Sequence, residues 1–460
     1  MRTTLPDGIR SLMTAEEALH ADEVLRAHGT RLAAFMELVA GTMVQGLTGK
    51  RQRAVVVCVY YRGEEVLYLG GGVVKHCGSA HVRPRPVERT DLFAGFSVSK
   101  GLAAATLLAA LDETGVAWDA PAATYWPACG PGVSIGDLAS HRGRCQQLLA
   151  CLGAILIWGF FGWWPRLFRW MTAYLAWRAR SVKEKVKTAS YHQISFSFFM
   201  VALIEAVVGT PFRDVVAARL TNKLALPGEI FLGEVPPAID ARVVRVEAPP
   251  CGAGKLERTR RTSAASTQSD GSWARWVLHT LVAPLEGRVI VWFCNRPQWR
   301  RILLPSSNGV FTARAVARVY GCLANHGGVR VVGNDGVARP VRLASENAVD
   351  DLARCISSPC HDVAGDHPDA GWRPRDHAEP ARLSRGWFPW ASAELHGAEA
   401  ARTVLNAEGM GGSASWADPT TGLAVCVLKS VYEPLAALSG SISPDTVRIA
   451  EAVRAGLGLG

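Results

Sequence analysis

Residues 101–112 read Gly-Leu-Ala-Ala-Ala-Thr-Leu-Leu-Ala-Ala-Leu-Asp, a run of strong helix formers with apolar side chains on every face. A helix of this kind has no solvent side, so the fold must wrap it completely. Directly before it stands Ser97-Val-Ser-Lys100, with Phe96 ahead. A spacing of three puts Ser97 and Lys100 on one helical face, about one turn apart. Burial disfavours an ammonium group, so a lysine carried into the interior beside a hydroxyl can lose its proton near neutral pH. A neutral amine there is a base for activating a serine nucleophile. Ser97 falls in the first turn, where backbone N–H groups and the helix dipole can stabilise an oxyanion.

A Ser-x-x-Lys string alone is also what a capping serine followed by an exposed lysine looks like. Other segments decide between the two. Ala54-Val-Val-Val-Cys-Val-Tyr-Tyr-Arg-Gly-Glu-Glu-Val-Leu-Tyr-Leu-Gly-Gly-Gly72 is two β-rich runs around Arg62-Gly63, a hairpin pattern. Tyr125-Trp-Pro and Ile135-Gly-Asp-Leu-Ala-Ser-His-Arg-Gly follow, then Tyr191-His-Gln-Ile-Ser with a helical run to Val207-Val-Gly-Thr-Pro-Phe. Leu304-Pro-Ser-Ser-Asn-Gly-Val-Phe-Thr-Ala-Arg leads a further helix. Gly409-Met-Gly-Gly-Ser-Ala-Ser-Trp-Ala-Asp-Pro opens a closing strand pair.

In this order, and with Thr90-Asp-Leu-Phe-Ala-Gly-Phe-Ser-Val-Ser-Lys, these segments resemble the serine β-lactamase, penicillin-binding-protein and class C-like esterase superfamily, and most of all its β-lactamase-related esterases. The resemblance implies an α/β (α+β) fold: a mostly antiparallel sheet sandwiched by helices, with a helical lobe inserted between its two halves. Strands are expected near 54–74 and 411–430. Helices are expected near 15–48, 99–114, 193–208, 312–326 and 443–457.

The resemblance also implies roles. Ser97 is the nucleophile; Lys100 with Tyr191 moves the proton; the backbone N–H groups of Ser97 and Met410 form the oxyanion hole. His192 lies beside the pocket and reads as a packed histidine, and Ser99 as a packing residue. The third motif departs from the family. Where lactamases carry Lys-Thr-Gly and many relatives His-x-Gly, this chain has Ala407-Glu408-Gly409. No cation is present to hold a substrate carboxylate, and Glu408 adds a charge of the wrong sign. The expectation is a serine hydrolase acting through an acyl-enzyme on a small or lipophilic ester or amide, as an esterase more than a β-lactamase. The competing reading is a weak or inactive scaffold, or a membrane-associated binding protein, on the same fold.

At 460 residues, length alone suggests roughly three domains, but the resemblance spans nearly the whole chain and implies one catalytic domain over 1–460. Three segments stand outside its pattern. Residues 142–184 hold the first, an apolar Trp-rich insertion, in which Leu148–Pro165 carries no charge over 18 residues and five of the fifteen Trp fall between Trp158 and Trp177. A single membrane span there would separate Ser97 from Tyr191. Three placements remain: a membrane surface contacted through 146–180, a soluble lid, or a buried core helix. Within it, Leu167, Trp170, Met171, Tyr174 and Trp177 make a helical apolar stripe with Arg on the other faces. Residues 255–272 read as a basic, Ser-rich surface loop rather than a nucleic-acid site, and 361–385 as a second surface loop.

The net charge of +10 is spread as scattered Arg and favours anionic surfaces only weakly. The eleven cysteines include no Cys-x-x-Cys pair, which fits free thiols in a reducing compartment; no metal site and no cofactor are expected. Met1–Ala15 lacks an apolar core of the signal-peptide kind, so a cytoplasmic location, with membrane association through 146–180, is the expectation.

Overall fold

The central strand of the molecule shows why the chain folds around two layers. β1 (Ala54–Tyr61) alternates strictly: Ala54, Val56, Cys58 and Tyr60 enter one apolar core, and Val55, Val57 and Val59 enter another. A strand with two apolar faces must be covered on both. In the computed structural model, which describes residues 53–77, 84–130, 132–142, 164–179, 192–248, 283–332, 337–357, 404–432 and 443–459, that is the arrangement found. β1 turns at Arg62 and Gly63, with φ of 51° and 81°, into β2 (Glu64–Val74). Two successive positive φ values are what a tight hairpin needs to match the strand twist.

The sheet is completed from far away in sequence. β3 (Arg85–Pro86) adds to the β2 edge, while β9 (Leu405–Glu408), β10 (Ala414–Asp418) and β11 (Leu423–Lys429) join through β1–β11 pairing, with Val57 opposite Val427. The order β3-β2-β1-β11-β10-β9 is antiparallel throughout. α1 (Val98–Thr114) and α6 (Ala313–Ala324) share the larger core on one face; α7 (Pro444–Leu457) covers the other. Between the two halves of the sheet lie α2 (Ile135–Ala139), α3 (Trp164–Ala179), α4 (Ser195–Val208) and α5 (Ala283–Cys294). A small sheet, β4 (Phe93–Ala94), β6 (Val310–Phe311) and β5 (Ile230–Phe231), ties the strand before Ser97 to the segment after Ser306. β7 (Gly328–Val332) and β8 (Ala338–Arg342) form a separate ribbon.

The expected strands, and the helices after residue 98, appear within a few residues of their expected limits. The expected helix over 15–48 and the loops 255–272 and 361–385 lie outside the described residues, as does most of 142–184 apart from α3. α3 corrects the expected apolar stripe. Met171 and Leu175 are fully buried and Phe168 meets Phe198 of α4 at 5.0 Å, whereas Trp170 and Trp177 are each 61% exposed. Thus the helix has two apolar faces rather than one. Among the described residues no single helix is long and apolar enough to cross a membrane, and the one bent pair that passes that test includes α4, whose first seven residues are all buried. Cys58, Cys294, Cys322 and Cys426 are buried thiols, and burial raises the pKa of each.

All of α1 from Val98 to Leu111 is buried, as its composition required. Gly101 is the point of closest approach: a Cβ there would lie 2.0 Å from the Tyr320 hydroxyl of α6 and 3.1 Å from the Ala407 Cβ of β9. Replacing a helical Gly by Ala normally stabilises by up to about 1 kcal/mol. Here overpacking, worth about 1–3 kcal/mol, should win because Tyr320 is fully buried. Gly101→Ala is expected to lower the urea midpoint, and a raised midpoint would show that Tyr320 can withdraw.

Candidate active site

Phe93 and Ala94 of β4 deliver the chain to Gly95 and Phe96, and Phe96 has φ of +48°. That left-handed residue turns the strand into α1, with Ser97 at the helix N-cap. The Ser97 side chain makes no capping hydrogen bond and is half-buried. One turn on, Lys100 is fully buried, with Nζ 3.3 Å from Ser97 Oγ. Nζ also donates to the backbone carbonyls of Gln193 (2.9 Å) and Ser306 (2.8 Å). Burial holds the amine well below the usual lysine range. Both carbonyls can only accept, so Nζ supplies the protons of those two bonds.

Both carbonyls are held by further contacts. Ser306 N–H donates to Ser197 Oγ at 2.9 Å, and the two hydroxyls lie 2.6 Å apart, stapling the 304–309 loop to the first turn of α4. Asn308 Nδ2 secures the same loop by donating to the carbonyls of Trp299 (2.7 Å) and Ile302 (2.6 Å). Ser99 accepts from Gly309 N–H at 3.1 Å, the packing role its position suggested. Ahead of Gln193, His192 N–H donates to His141 Nδ1 at 3.0 Å. That bond fixes the lone pair on His141 Nδ1, and so the Nε2–H tautomer, as long as the ring is neutral.

His141 reaches its position through a capping box. Ser134 Oγ accepts from Asp137 N–H, the Asp137 carboxylate accepts from Ser134 N–H, and α2 ends in His141 at φ +61°. The His141 ring stacks on Phe196 at 4.9 Å and on His192 at 5.3 Å. Burial pushes His192 down to about 3 and His141 well below its usual value. Sequence reasoning singled out His192 as packed, but it missed the clamp by His141 and the Ser197–Ser306 staple. The signals available were the Ser140-His141 string and the unusual density of Ser in 195–197 and 306–307.

The end of β9 closes the site from the other side. A Cβ at Gly409 would lie 2.3 Å from the Gly95 carbonyl, and one at Gly411 2.9 Å from the Phe96 ring. Only glycine lets this strand come against the segment that carries Ser97. Gly409 N–H donates to Ser413 O (2.8 Å) and Gly412 N–H to Gly409 O (2.9 Å), so the turn is tight and Met410 lies at its tip, 36% exposed. Ala407 is fully buried in the core it shares with α1. Tyr191 lies outside the described residues, immediately before His192.

Glu408 is not where the sequence suggested. Side chains alternate along a strand, and cross-strand partners share a face. Glu408 is opposite Ala414, and Asn406 is opposite Trp416, both on the α7 face of the sheet. Ala407 belongs to the α1 face. Burial pushes the Glu408 carboxyl up to about 8, against the smaller downward pull of the Asn406 amide, which donates to it at 3.0 Å. At neutral pH it is mostly uncharged, so it supplies no negative charge toward Ser97. The third motif therefore lacks a cation at Ala407 and adds no anion.

With this geometry in view, comparison with known proteins is informative. The Beta-lactamase family model matches residues 39–437, and the chain belongs to that family. The esterase/beta-lactamase LipL of Mycobacterium tuberculosis is 24% identical over 393 residues, covering 83% of this chain and 77% of that protein. A family VIII carboxylesterase has a TM-score of 0.62 at 20% identity, with 91% of this chain and 96% of that chain covered. A penicillin-binding protein homologue from Caulobacter crescentus has a TM-score of 0.61 at 21% identity, covering 93% and 97%. These structures share the fold. Family membership makes the chain a member of a hydrolase family that includes esterases.

The Glu408 carboxyl also makes a prediction. Its folded value of about 8 lies above the ordinary 4.5. Stability from the protonated form is therefore complete below the ordinary value and is lost as pH rises through the folded one. The melting temperature of the wild type, relative to that of Glu408→Gln, should fall between about pH 5 and about pH 8 and run parallel to it above that. Curves parallel throughout would show that the carboxyl is ionised in the fold.

Proposed function

We propose that the protein is a serine hydrolase that cleaves an ester or amide through an acyl-enzyme, with esters preferred. One observation carries the reading: Lys100 is buried with Nζ 3.3 Å from Ser97 Oγ and bonded to two main-chain carbonyls, and burial holds its amine well below the usual lysine range. Ser97 Oγ attacks the substrate carbonyl while its proton passes to Lys100 Nζ. The backbone N–H groups of Ser97 and Met410 stabilise the oxyanion. Collapse returns the proton to the leaving alcohol or amine and leaves the acyl group on Ser97. Water, deprotonated by the same amine, then releases the acid and restores the serine. Tyr191 is the expected partner of Lys100 in moving this proton, on the family resemblance.

The reading expects a covalent adduct at Ser97. Intact-mass spectrometry after exposure to a fluorophosphonate should show one added group on the wild type and none on Ser97→Ala. Labelling should weaken as pH falls, because protonation of Lys100 removes the base. Equal labelling of both proteins would remove the assignment of Ser97.

Substrate preference follows from the third motif. A charge-assisted hydrogen bond to a substrate carboxylate is worth about 1.5–3 kcal/mol, roughly tenfold or more in binding. With Ala407 packed into the α1 core, the site has no cation at that position to make one. A short-chain nitrophenyl ester should therefore be turned over with kcat/KM well above that for a chromogenic cephalosporin. Efficient cephalosporin hydrolysis would mean that a cation elsewhere binds the carboxylate.

A further inference from the structure

The exposed face of α3 is built from large aromatic rings. Trp170 and Tyr174 stack at 5.7 Å with their planes within 5°, and Trp177 continues the row 6.1 Å from Tyr174. Both Trp side chains are 61% exposed, while the opposite face, Phe168, Met171 and Leu175, is spent on the core. The helix is thus anchored through that face; within the row Tyr174 is half-buried against the same core, and the two Trp rings stand exposed. A contiguous aromatic row left in water on an anchored helix marks a docking surface.

The charge around the row says what docks. Arg169 is exposed beside it. The helix sequence carries three Arg and no acidic residue. The uncharged stretch Leu148–Pro165 runs directly into the start of the helix. Trp and Tyr are the side chains that settle at the boundary between headgroups and hydrocarbon, and Arg and Lys pair with anionic headgroups. A second copy of this chain is a poor occupant, because a two-fold contact would set the same Arg-flanked face against itself on a protein of net charge +10.

We infer that α3 seats the protein on an anionic phospholipid surface, with the rings of Trp170, Tyr174 and Trp177 in the headgroup boundary and Arg169 among the phosphates. α3 packs on the first turns of α4 through Phe198, and the neighbouring Phe196 faces Lys100 Nζ at 5.8 Å. The docked face is therefore one helix layer from Ser97. The inference concerns binding alone and stands whether or not Ser97 is a nucleophile.

Flotation of the purified full chain with phosphatidylcholine vesicles, made with and without phosphatidylglycerol, tests it. The wild type should float with the anionic vesicles, less with the neutral ones, and less at high salt. Trp170→Ser/Trp177→Ser should lower the partition at least about tenfold, equivalent to about 1.4 kcal/mol. Arg169→Glu should weaken binding to anionic vesicles and leave the weak binding to neutral ones unchanged. Thermal melts matching the wild type confirm that the variants fold. The inference is overturned if the wild type stays in the soluble fraction with both vesicles, if the double Trp variant floats as well as the wild type, or if neutral vesicles bind it equally. A wild type that ignores vesicles but elutes as a dimer, with the double variant a monomer, would assign the face to a second copy instead.

Discussion

Removing the Lys100 ammonium from water is the interaction on which the site depends. Transferring such a group into a protein interior costs several kcal/mol if it stays charged, and each unit of pKa lowering corresponds to about 1.4 kcal/mol. The fold meets this by lowering the amine's affinity for its extra proton through burial and by offering its N–H groups two main-chain carbonyls. Those carbonyls come from residues 93 and 206 positions along the chain from Lys100, so two distant segments must be brought to within a hydrogen bond of one nitrogen. The serine staple between 197 and 306, and the His141 acceptor for His192 N–H, are the supports that keep them there. Polar groups this deep are stable because each bond orients the next, and the loss of one would leave its partner buried without compensation.

Close backbone approach is the second requirement, and glycine supplies it. Gly101 lets α1 lie against α6 and β9, and Gly409 lets β9 end against Gly95. Together they bring the two halves of the sheet, which sit at opposite ends of the sequence, to the N-terminus of one helix. The same strand separates two adjacent residues chemically. Ala407 points to the α1 layer and Glu408 to the α7 layer, so a motif read as one unit in the sequence is split across the sheet.

The inserted lobe divides its labour in a similar way. α3 uses one face to extend the core beside α4 and leaves a row of stacked rings outside. Core packing and surface chemistry thus occupy one short helix, with Arg169 beside the outer row. The exposed Trp face is thus packed directly against the helix that follows Gln193, whose carbonyl meets Lys100.

Much of this was legible in the amino-acid sequence, for physical reasons. Two β-rich runs on either side of the turn residues Arg62 and Gly63 mark a hairpin. The all-round apolar run after Lys100 can only be a buried helix, and its burial implied a lysine with a lowered pKa. Ordered motifs then gave the family and named Ser97, Lys100, Gly409 and Met410. What the sequence could not show was anything set by contact across the fold. Main-chain carbonyls carry no residue identity, so Gln193 and Ser306 as acceptors for Lys100 were invisible. The facing of Glu408 depends on the register of β9 against β10, and its raised pKa on burial that register creates. The stripe on α3 read as one apolar face because helical periodicity records which side chains cluster, while only packing against α4 decides which of them are covered. Local pattern determined the elements and set Ser97 and Lys100 one turn apart; tertiary contact decided the burial and carbonyl partners of Lys100, the direction of the third motif, and which aromatic rings remain in water.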